Sequence, residues 1–386
     1  MSSSKSSLQN EKQSLKHRFL TILAGDKSCV LAIPVFCVIL SMIAACILLL
    51  VLGKSPLAAF TAFLRGSGFL PKPSYAGGQN MFTDFLSFLG ILAPMLLAAL
   101  SVITALKAGM FNIGVAGQML ASGFIALVFV GYSPLNGFLA KPLVLIIGIV
   151  CGAVLGAAVG ALKAKFNIHE VVSTIMFNYI ISYITGFFIN NYYIDPLTRS
   201  SKICSGAARL TLTDISFANL KPALPLGIIV ALCAVFIMHF VLNKTTLGFK
   251  IKTVGLNPFA AKYAGIKQKN VVVLSMMISG SLAGLAGVCY FLGYYNTILP
   301  KTLPDMGFDA IAISLLGNLS PIGSVFASIL VTILQKGDVY MSSRLKVPPE
   351  ISSVIIGFLL LFSACGIFIR HYAKKHLDKL DEAKGA

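Results

Sequence analysis

Long apolar runs separated by short polar segments dominate this sequence. A helix that crosses the hydrocarbon core of a bilayer needs about 20 mostly apolar residues. Nine runs come close to that length, at 30–52, 85–106, 112–131, 142–162, 171–194, 225–243, 271–293, 320–336 and 351–369. A tenth, shorter run at 307–316 ends at the breaker sequence GNLSP. The pattern predicts an all-α integral membrane protein, a polytopic bundle of about ten transmembrane helices.

The positions of the Lys and Arg residues predict the orientation. Cytoplasmic segments next to membrane spans are enriched in these residues. Basic residues cluster before residue 30 and after residue 369, and the 244–270 loop holds six lysines and no acidic residue. We therefore expect a cytoplasmic N-terminal segment (1–29), a transmembrane domain (30–369) with a cytoplasmic loop (244–270), and a cytoplasmic basic tail (370–386). Two cytoplasmic termini require the 307–316 run to cross the bilayer rather than dip back.

Composition narrows the class of protein further. Hydrophobic residues make up 57% of the 386 residues and charged residues 11%, against about 25% charged in soluble domains. The mean hydropathy is +0.87, so a soluble enzyme or a disordered chain is excluded. The net charge of +18 lies mostly at membrane boundaries, so we expect no nucleic-acid partner. The eight cysteines include no Cys-x-x-Cys pair, and we assign no disulfide, metal or cofactor.

The sequence carries no motif for energising transport by itself. A phosphate-binding loop has the pattern G-x-x-x-x-G-K-[ST], and residues 53–55 match only its last three positions. We therefore expect a transport protein rather than an enzyme. A membrane-embedded enzyme using His169 and Glu170 is a weak alternative, because no further His or Cys cluster accompanies them.

Polar residues inside the apolar runs are candidates for a solute pathway. Buried amides must find hydrogen-bond partners, which a water-filled pathway or helix-to-helix bonding would supply. The candidates are Asn112, Gln118, Asn178, Tyr179, Asp309 and Asn318. Asp309 is also the candidate coupling residue for the runner-up function, a secondary transporter driven by an ion gradient.

Two groups of glycines indicate special backbone arrangements. The segment 109–118 reads GMFNIGVAGQ, and three glycines with two amides predict a broken or tightly packed helix beside the pathway. Gly148, Gly152, Gly156 and Gly160 share one helix face, as do the three glycines at 280, 284 and 287. Small residues at this spacing predict close helix packing.

The 244–270 loop contains the signals of a short helix. Asn257 is a suitable N-cap, Pro258 suits the first helical position, and Gly265 suits the end. A helix of about two turns in this loop fits docking into a groove on another protein. The alternatives are a lysine-rich loop that only obeys the charge rule or touches anionic membrane lipid.

Four separated motifs resemble the permease subunits of bacterial ABC importers. They are GMFNIGVAGQ at 109–118, GLNPFAAKYAGI at 255–266, GFDAIAISLLG at 307–317, and HEVVSTIMFNY at 169–179. Together they most resemble the branch for nucleosides and simple sugars, near the ribose and branched-chain amino acid permeases, and the last motif resembles the nucleoside branch in particular. The sequence departs from the usual family pattern at Ala116, where Glu is usual, and at Ala310, where Gly is usual.

The resemblance implies a function and a set of partners. It implies one half of an ATP-driven pathway in the bacterial cytoplasmic membrane, with nucleosides as the expected cargo. It also implies a cytoplasmic ABC ATPase, a second permease subunit and an extracytoplasmic substrate-binding lipoprotein. The residues expected to couple to the ATPase are Gly255, Asn257, Pro258, Ala260, Ala261, Tyr263 and Gly265.

Overall fold

A computed structural model describes residue 21 and residues 29–75, 79–212, 224–348 and 350–385. These residues form fourteen α-helices, numbered in chain order. They are α1 (Cys29–Val51), α2 (Pro56–Gly66), α3 (Met81–Lys107), α4 (Val115–Ala126), α5 (Gly137–Phe166), α6 (Glu170–Phe188), α7 (Gly227–Lys244), α8 (Thr246–Leu256), α9 (Pro258–Tyr263), α10 (Gln268–Val288), α11 (Met306–Leu316), α12 (Pro321–Leu345), α13 (Glu350–Ala364) and α14 (Gly366–Gly385). Strands β1 (Thr211–Leu212) and β2 (Leu224–Pro225) form one short antiparallel pair, with Thr211 opposite Pro225.

Seven helices in the described part of the chain are long and apolar enough to cross a membrane: α1, α3, α5, α6, α7, α10 and α12. Helices α4, α11 and α13 are apolar but shorter. These ten helices coincide with the ten apolar runs of the sequence. The prediction of an all-α polytopic membrane protein is therefore confirmed.

The chain divides into two compact units. One unit combines the described residues up to Pro56 with those from Ser353 onward. In this unit α1 is bonded to α13, because the Ser41 hydroxyl donates to the Phe358 carbonyl at 3.3 Å. Ala373 of α14 is buried there against apolar side chains of α1. The first unit is thus a small three-helix assembly.

The second unit (57–352) is built around α3. This helix is buried along most of its length and packs against α7, α10, α11 and α12. Its N-terminus is closed by a capping box, in which Asn80 accepts from the Thr83 backbone N–H and the Thr83 hydroxyl in turn accepts from the Asn80 N–H. A helix that is apolar all round is expected at the centre of a bundle, and α3 occupies that position.

Helices α5 and α10 cross at the predicted glycine faces. A Cβ added at Gly152 would lie 2.0 Å from the Gly280 carbonyl oxygen, and one at Gly284 would lie 2.0 Å from the Gly148 carbonyl oxygen. Only glycine permits backbones to approach this closely. The prediction of close packing is confirmed. Gly148, Gly152 and Gly156 of α5 pack against Gly280 and Gly284 of α10, whereas Gly287 packs against Met119 of α4.

Three helices of the second unit end in π-helical turns. These turns are Leu127–Gly131 after α4, Ile189–Tyr193 after α6 and Cys289–Tyr295 after α10. The loop after α6 is hydrogen-bonded to all three turns. The Lys202 N–H donates to the Tyr193 carbonyl at 2.8 Å, the Cys204 N–H to the Asn296 carbonyl at 3.1 Å, and the Ser205 N–H to the Gly131 carbonyl at 2.9 Å. The three helix ends therefore meet at one edge of the unit.

Candidate functional site

The segment 108–114, called here the glycine-rich loop, breaks the chain between α3 and α4. Gly109 adopts a positive φ of 71°, a conformation that favours glycine. Helix α3 ends at Lys107 and α4 begins at Val115. The predicted broken helix is confirmed.

Asn112 fixes the glycine-rich loop to two helices. The side chain is fully buried. Its Nδ2 donates to Gln118 Oε1 at 3.1 Å and to Ser279 Oγ of α10 at 2.9 Å, while its Oδ1 accepts from the Gly114 N–H at 3.0 Å. Ser279 in turn donates to the carbonyl of Ser101 in α3 at 2.8 Å.

Asn178 of α6 holds the same region from the other side. Its Nδ2 donates to the Ile113 carbonyl at 3.0 Å, and its Oδ1 accepts from the Gly117 N–H at 2.9 Å. A Cβ at Gly117 would lie 2.6 Å from Asn178 Oδ1, so this contact requires a glycine. Asn112, Gln118, Asn178 and Ser279 are called the amide network below.

The other predicted pathway residues lie elsewhere. Asp309 of α11 is half-buried and accepts a hydrogen bond from Gln335 Nε2 of α12. Tyr179 is 56% exposed. Asn318 is exposed at the turn between α11 and α12, with φ +51°. The structure thus joins three of the six candidates in one network, and among the described residues the other three form no hydrogen bond to it.

Several polar residues of this region were missed by the sequence analysis. Ser279 is a fully buried member of the amide network, but a serine in an apolar run is common and gives little signal. Gln335 and Lys336 lie well inside α12. In the sequence Lys336 ends its apolar run, where a lysine marks a boundary, so nothing there indicates its bond to Tyr294.

Helix α9, called here the docking helix, forms as predicted. Asn257 Oδ1 accepts from the N–H groups of Phe259 at 2.9 Å and Ala260 at 3.1 Å, and Pro258 occupies the first turn. Gly265 follows with φ +74°. The capping signals of the sequence are therefore confirmed as structure.

The docking helix presents large apolar side chains to the outside. Phe259 is 77% exposed, Tyr263 is 95% exposed, and Leu256 just before the helix is 87% exposed. Ala261 on the opposite side is fully buried, and the helix packs there on α8. One side of a two-turn helix is thus anchored, and the other offers an unpartnered aromatic surface.

Gly255 connects this region to the glycine-rich loop. A Cβ at Gly255 would lie 2.2 Å from the Lys107 carbonyl oxygen and 2.8 Å from the Gly109 nitrogen. The last turn of α8, which leads into the docking helix, therefore touches the start of the loop that carries Asn112. The docking helix is therefore connected to the amide network through Gly255 and the glycine-rich loop.

His169 and Glu170 have structural contacts at the junction of α5 and α6. His169 caps α6 by accepting from the Val171 N–H at 3.3 Å, and Glu170 pairs with Lys163 at 3.0 Å. Acidic residues stabilise the first turn of a helix. These contacts account for both residues without a catalytic role.

Comparison with known proteins identifies the family to which the chain belongs. Residues 85–364 match the model of the family described as branched-chain amino acid transport system / permease component. The nucleoside ABC transporter permease protein NupB of Lactococcus lactis is 35% identical over 352 residues, which is 89% of this chain and 93% of the relative. The guanosine ABC transporter permease protein NupP of Bacillus subtilis is 36% identical over 88% of this chain and 94% of its own.

A more distant relative is named for a different cargo. The glucose ABC transporter permease protein TsgB13 of Haloferax volcanii is 28% identical over 72% of this chain and 75% of its own length. The match to the family model covers most of the chain, including the glycine-rich loop, the docking helix and α11. The chain therefore belongs to this family of transport-system permease components, and it is a transport component rather than an enzyme.

Proposed function

We propose that the chain is the permease subunit of an ATP-driven ABC importer and forms half of a pathway for nucleosides. The relatives that cover most of the chain at 35–36% identity are named for nucleoside and guanosine transport. The observation that carries the proposal is the docking helix, which exposes Phe259 and Tyr263 to the outside. A cytoplasmic ABC ATPase is the partner that would cover it.

The surface of the docking helix suits such a partner. Exposed aromatic side chains that insert into a pocket contribute much of the binding energy of an interface. The basic side chains nearby, Lys262 and Lys267, are exposed as well and can form a polar rim. Asn257, Pro258, Ala260 and Gly265 shape the helix, Ala261 anchors it, and Gly255 connects it to the glycine-rich loop.

We also propose an orientation of the chain in the membrane and two further partners. The 244–270 loop, the segment 1–29 and the tail 370–386 face the cytoplasm, and 30–369 forms the transmembrane domain in the bacterial cytoplasmic membrane. The opposite edge, where the π-helical turns meet, then faces an extracytoplasmic binding lipoprotein. A second permease subunit completes the pathway.

The pathway residues proposed from the sequence divide into two groups. Asn112 donates to Gln118, and Asn178 bonds to the backbone of Gly117 and Ile113, so these three residues line the pathway only when the glycine-rich loop shifts. Asp309 is half-buried and accessible in the present conformation. Tyr179 and Asn318 lie on the outer surface of the unit, which the second permease would have to approach.

Uptake by a reconstituted transporter tests the proposal. The chain, its ATPase, the second permease and the lipoprotein are placed in proteoliposomes, and entry of radiolabelled guanosine is measured with and without ATP on the ATPase side. We expect ATP-dependent uptake that a protonophore leaves intact. Uptake that survives loss of the ATPase but collapses with a protonophore would favour the ion-driven alternative, in which Asp309 couples the ion.

A surface variant tests the docking helix separately. Tyr263→Glu adds a charge to a 95% exposed side chain, so the fold is preserved while the aromatic anchor is lost. We expect the ATPase to dissociate on purification and uptake to stop. Leu197→Glu, at a 93% exposed position in the loop after α6, is the matched control for ATPase binding and should retain the ATPase. ATPase binding that is equal in the two variants would overturn the docking role.

A further inference from the structure

A second polar cluster lies outside the amide network, where the π-helical end of α10 meets α11 and α12. It comprises Tyr290, Tyr294, Asp309, Gln335 and Lys336, called here the polar-aromatic face. All five side chains are half-buried. They are therefore neither sealed in the core nor fully turned out of the protein.

The π-helical turn places Tyr290 and Tyr294 of this face each in contact with the neighbouring Tyr295. In such a turn, residues four and five positions apart lie on the same side. The ring centroids of Tyr290 and Tyr295 are 4.8 Å apart, and those of Tyr294 and Tyr295 are 4.9 Å apart. Gly90 of α3 makes room for Tyr294, because a Cβ there would lie 3.3 Å from the tyrosine ring.

The charged members of the face are bonded to neutral partners. Lys336 Nζ donates to the Tyr294 hydroxyl at 3.1 Å and lies 5.4 Å from the ring centroid. Gln335 Nε2 donates to Asp309 Oδ2. Neither Lys336 nor Asp309 has an ion-pair partner among the residues that the structure describes. Since a lysine has three N–H groups and a carboxylate accepts several bonds, both retain capacity for a ligand.

These residues lie beside the π-helical end of α10, at the edge where the three π-helical turns meet. Gln335 and Lys336 lie more than half-way along α12 (Pro321–Leu345), about 22 Å from its first residue at 1.5 Å per residue. Ionisable groups at membrane depth are expensive and face a protein interior or a water-filled cavity. The half-buried Lys336 and Asp309 therefore suit a position that water or a polar ligand can reach.

We propose that the polar-aromatic face is a cargo-binding site for a nucleoside within the pathway. The inference rests on the proposed function and adds the residues that recognise the solute. The tyrosine rings stack on the base, because every base offers a π-face to an aromatic side chain. Lys336 donates to acceptors on the base edge, and Asp309 accepts from hydroxyl or amino groups.

The amide network is a poorer candidate for first contact with cargo. Its amides bond one another and the backbone, so a ligand would have to replace bonds that are already made. In the polar-aromatic face the ionised groups each use only part of their bonding capacity. A pocket for a small solute combines apolar or aromatic walls with a few polar groups of this kind.

Equilibrium binding without the lipoprotein tests the site directly. The full chain in complex with its partner permease and ATPase is placed in nanodiscs, and binding of radiolabelled guanosine is measured. We expect Tyr294→Leu and Lys336→Met each to raise the Kd about tenfold, which is 1.4 kcal/mol. Tyr294→Phe keeps the ring and should raise it less. Ribose alone should compete weakly, because it offers no base to stack.

A second cation–aromatic pair supplies the matched control. Lys301 Nζ lies 5.9 Å from the Tyr183 ring centroid of α6, so Tyr183→Leu and Lys301→Met remove similar chemistry elsewhere and should leave the Kd unchanged. An unchanged Kd in Tyr294→Leu and Lys336→Met would overturn the site. So would equal losses in the control pair.

Uptake measurements separate the two proposals. If the wild-type transporter takes up guanosine but the complex without lipoprotein does not bind it, the cargo site is overturned and the proposed function stands. If the wild type shows no ATP-dependent uptake of guanosine, both are overturned. The milder variants Tyr294→Phe and Lys336→Arg keep the comparison possible if a harsher variant fails to insert in the membrane.

Discussion

Replacing Gly255 with alanine is expected to disturb the link between the docking helix and the glycine-rich loop. The new Cβ would lie 2.2 Å from the Lys107 carbonyl oxygen, 2.8 Å from the Gly109 nitrogen and 3.0 Å from the Ala108 carbonyl carbon. Ordinary contact begins at 3.4 Å. All three clashes are with backbone, so no side-chain rotation relieves them, and the two segments must separate by about 1 Å.

The magnitude follows from two opposing effects. Alanine in a helix is favoured over glycine by roughly 0.5–1 kcal/mol, whereas overpacking a tight contact costs about 1–3 kcal/mol. Overpacking wins, and we expect a net strain of about 1–2 kcal/mol in the state with the contact closed. That strain shifts an equilibrium between closed and separated states by a factor of about 5–30.

Coupled transport measurements check this prediction. ATP hydrolysis and guanosine uptake are measured in the same proteoliposomes, and we expect uptake per ATP hydrolysed to fall while hydrolysis continues. Gly357→Ala is the control, because a Cβ at Gly357 meets nothing within 4 Å. If Gly255→Ala retains the wild-type ratio and unfolds no earlier than the wild type, the mechanical link is refuted.

Three further predictions concern the stability of the protein and its dependence on pH. Gly280→Ala puts a Cβ 2.1 Å from the Gly152 carbonyl oxygen and should destabilise the protein by about 1–3 kcal/mol, measured as a lower Tm in detergent. Asn178→Leu leaves two buried backbone groups unpaired and should cost about 2–4 kcal/mol by the same assay. Burial raises the pKa of the Cys204 thiol to about 11, although a nearby arginine opposes the shift. Because the folded state holds this proton more tightly, wild-type stability should fall relative to Cys204→Ala as pH rises from about 9 to 11.

Matched variants separate these effects from general damage. Gly357→Ala, which meets nothing within 4 Å, should leave the Tm unchanged or raise it. Asn191→Leu alters an exposed amide near the end of α6 and should cost less than about 0.5 kcal/mol. Equal losses in Gly280→Ala and Gly357→Ala, or in Asn178→Leu and Asn191→Leu, would contradict the assigned contacts. Parallel pH profiles for wild type and Cys204→Ala would contradict the buried thiol.

The sequence predicted the helices better than it predicted their ends. An apolar run shows which residues can face lipid. A helix can extend beyond such a run wherever its polar side chains find hydrogen-bond partners. Helix α12 reaches Leu345 instead of ending near residue 336, because Lys336 bonds to Tyr294 and Asp338 accepts from Ser342. Helix α8 was missed because it carries lysines and threonines, although its cap Thr245 was a local signal for it.

The parts of the candidate site that could be predicted are those whose interacting residues are close together in the sequence. Asn257 and Pro258 act within one turn, so the docking helix could be deduced from neighbouring residues. Gln118 lies six positions from Asn112 and could be associated with it. Ser279 lies 167 positions away, and its bond to Asn112 exists only because α10 packs against α3 and α4. Long-range partners of this kind have no pattern in a single sequence.

Three π-helical turns meet at one edge of the second unit. The packing at this edge is therefore unusually sensitive to insertions and deletions of single residues. A π turn holds one residue more per hydrogen-bonded ring than an α turn, so each of these ends behaves as a single-residue insertion. Deleting one residue from 289–293 would restore α-helical register and rotate the following residues by about 100°. Tyr294 would then lose its place beside Lys336. Length changes of one residue, more than substitutions, are therefore the changes that this edge tolerates least.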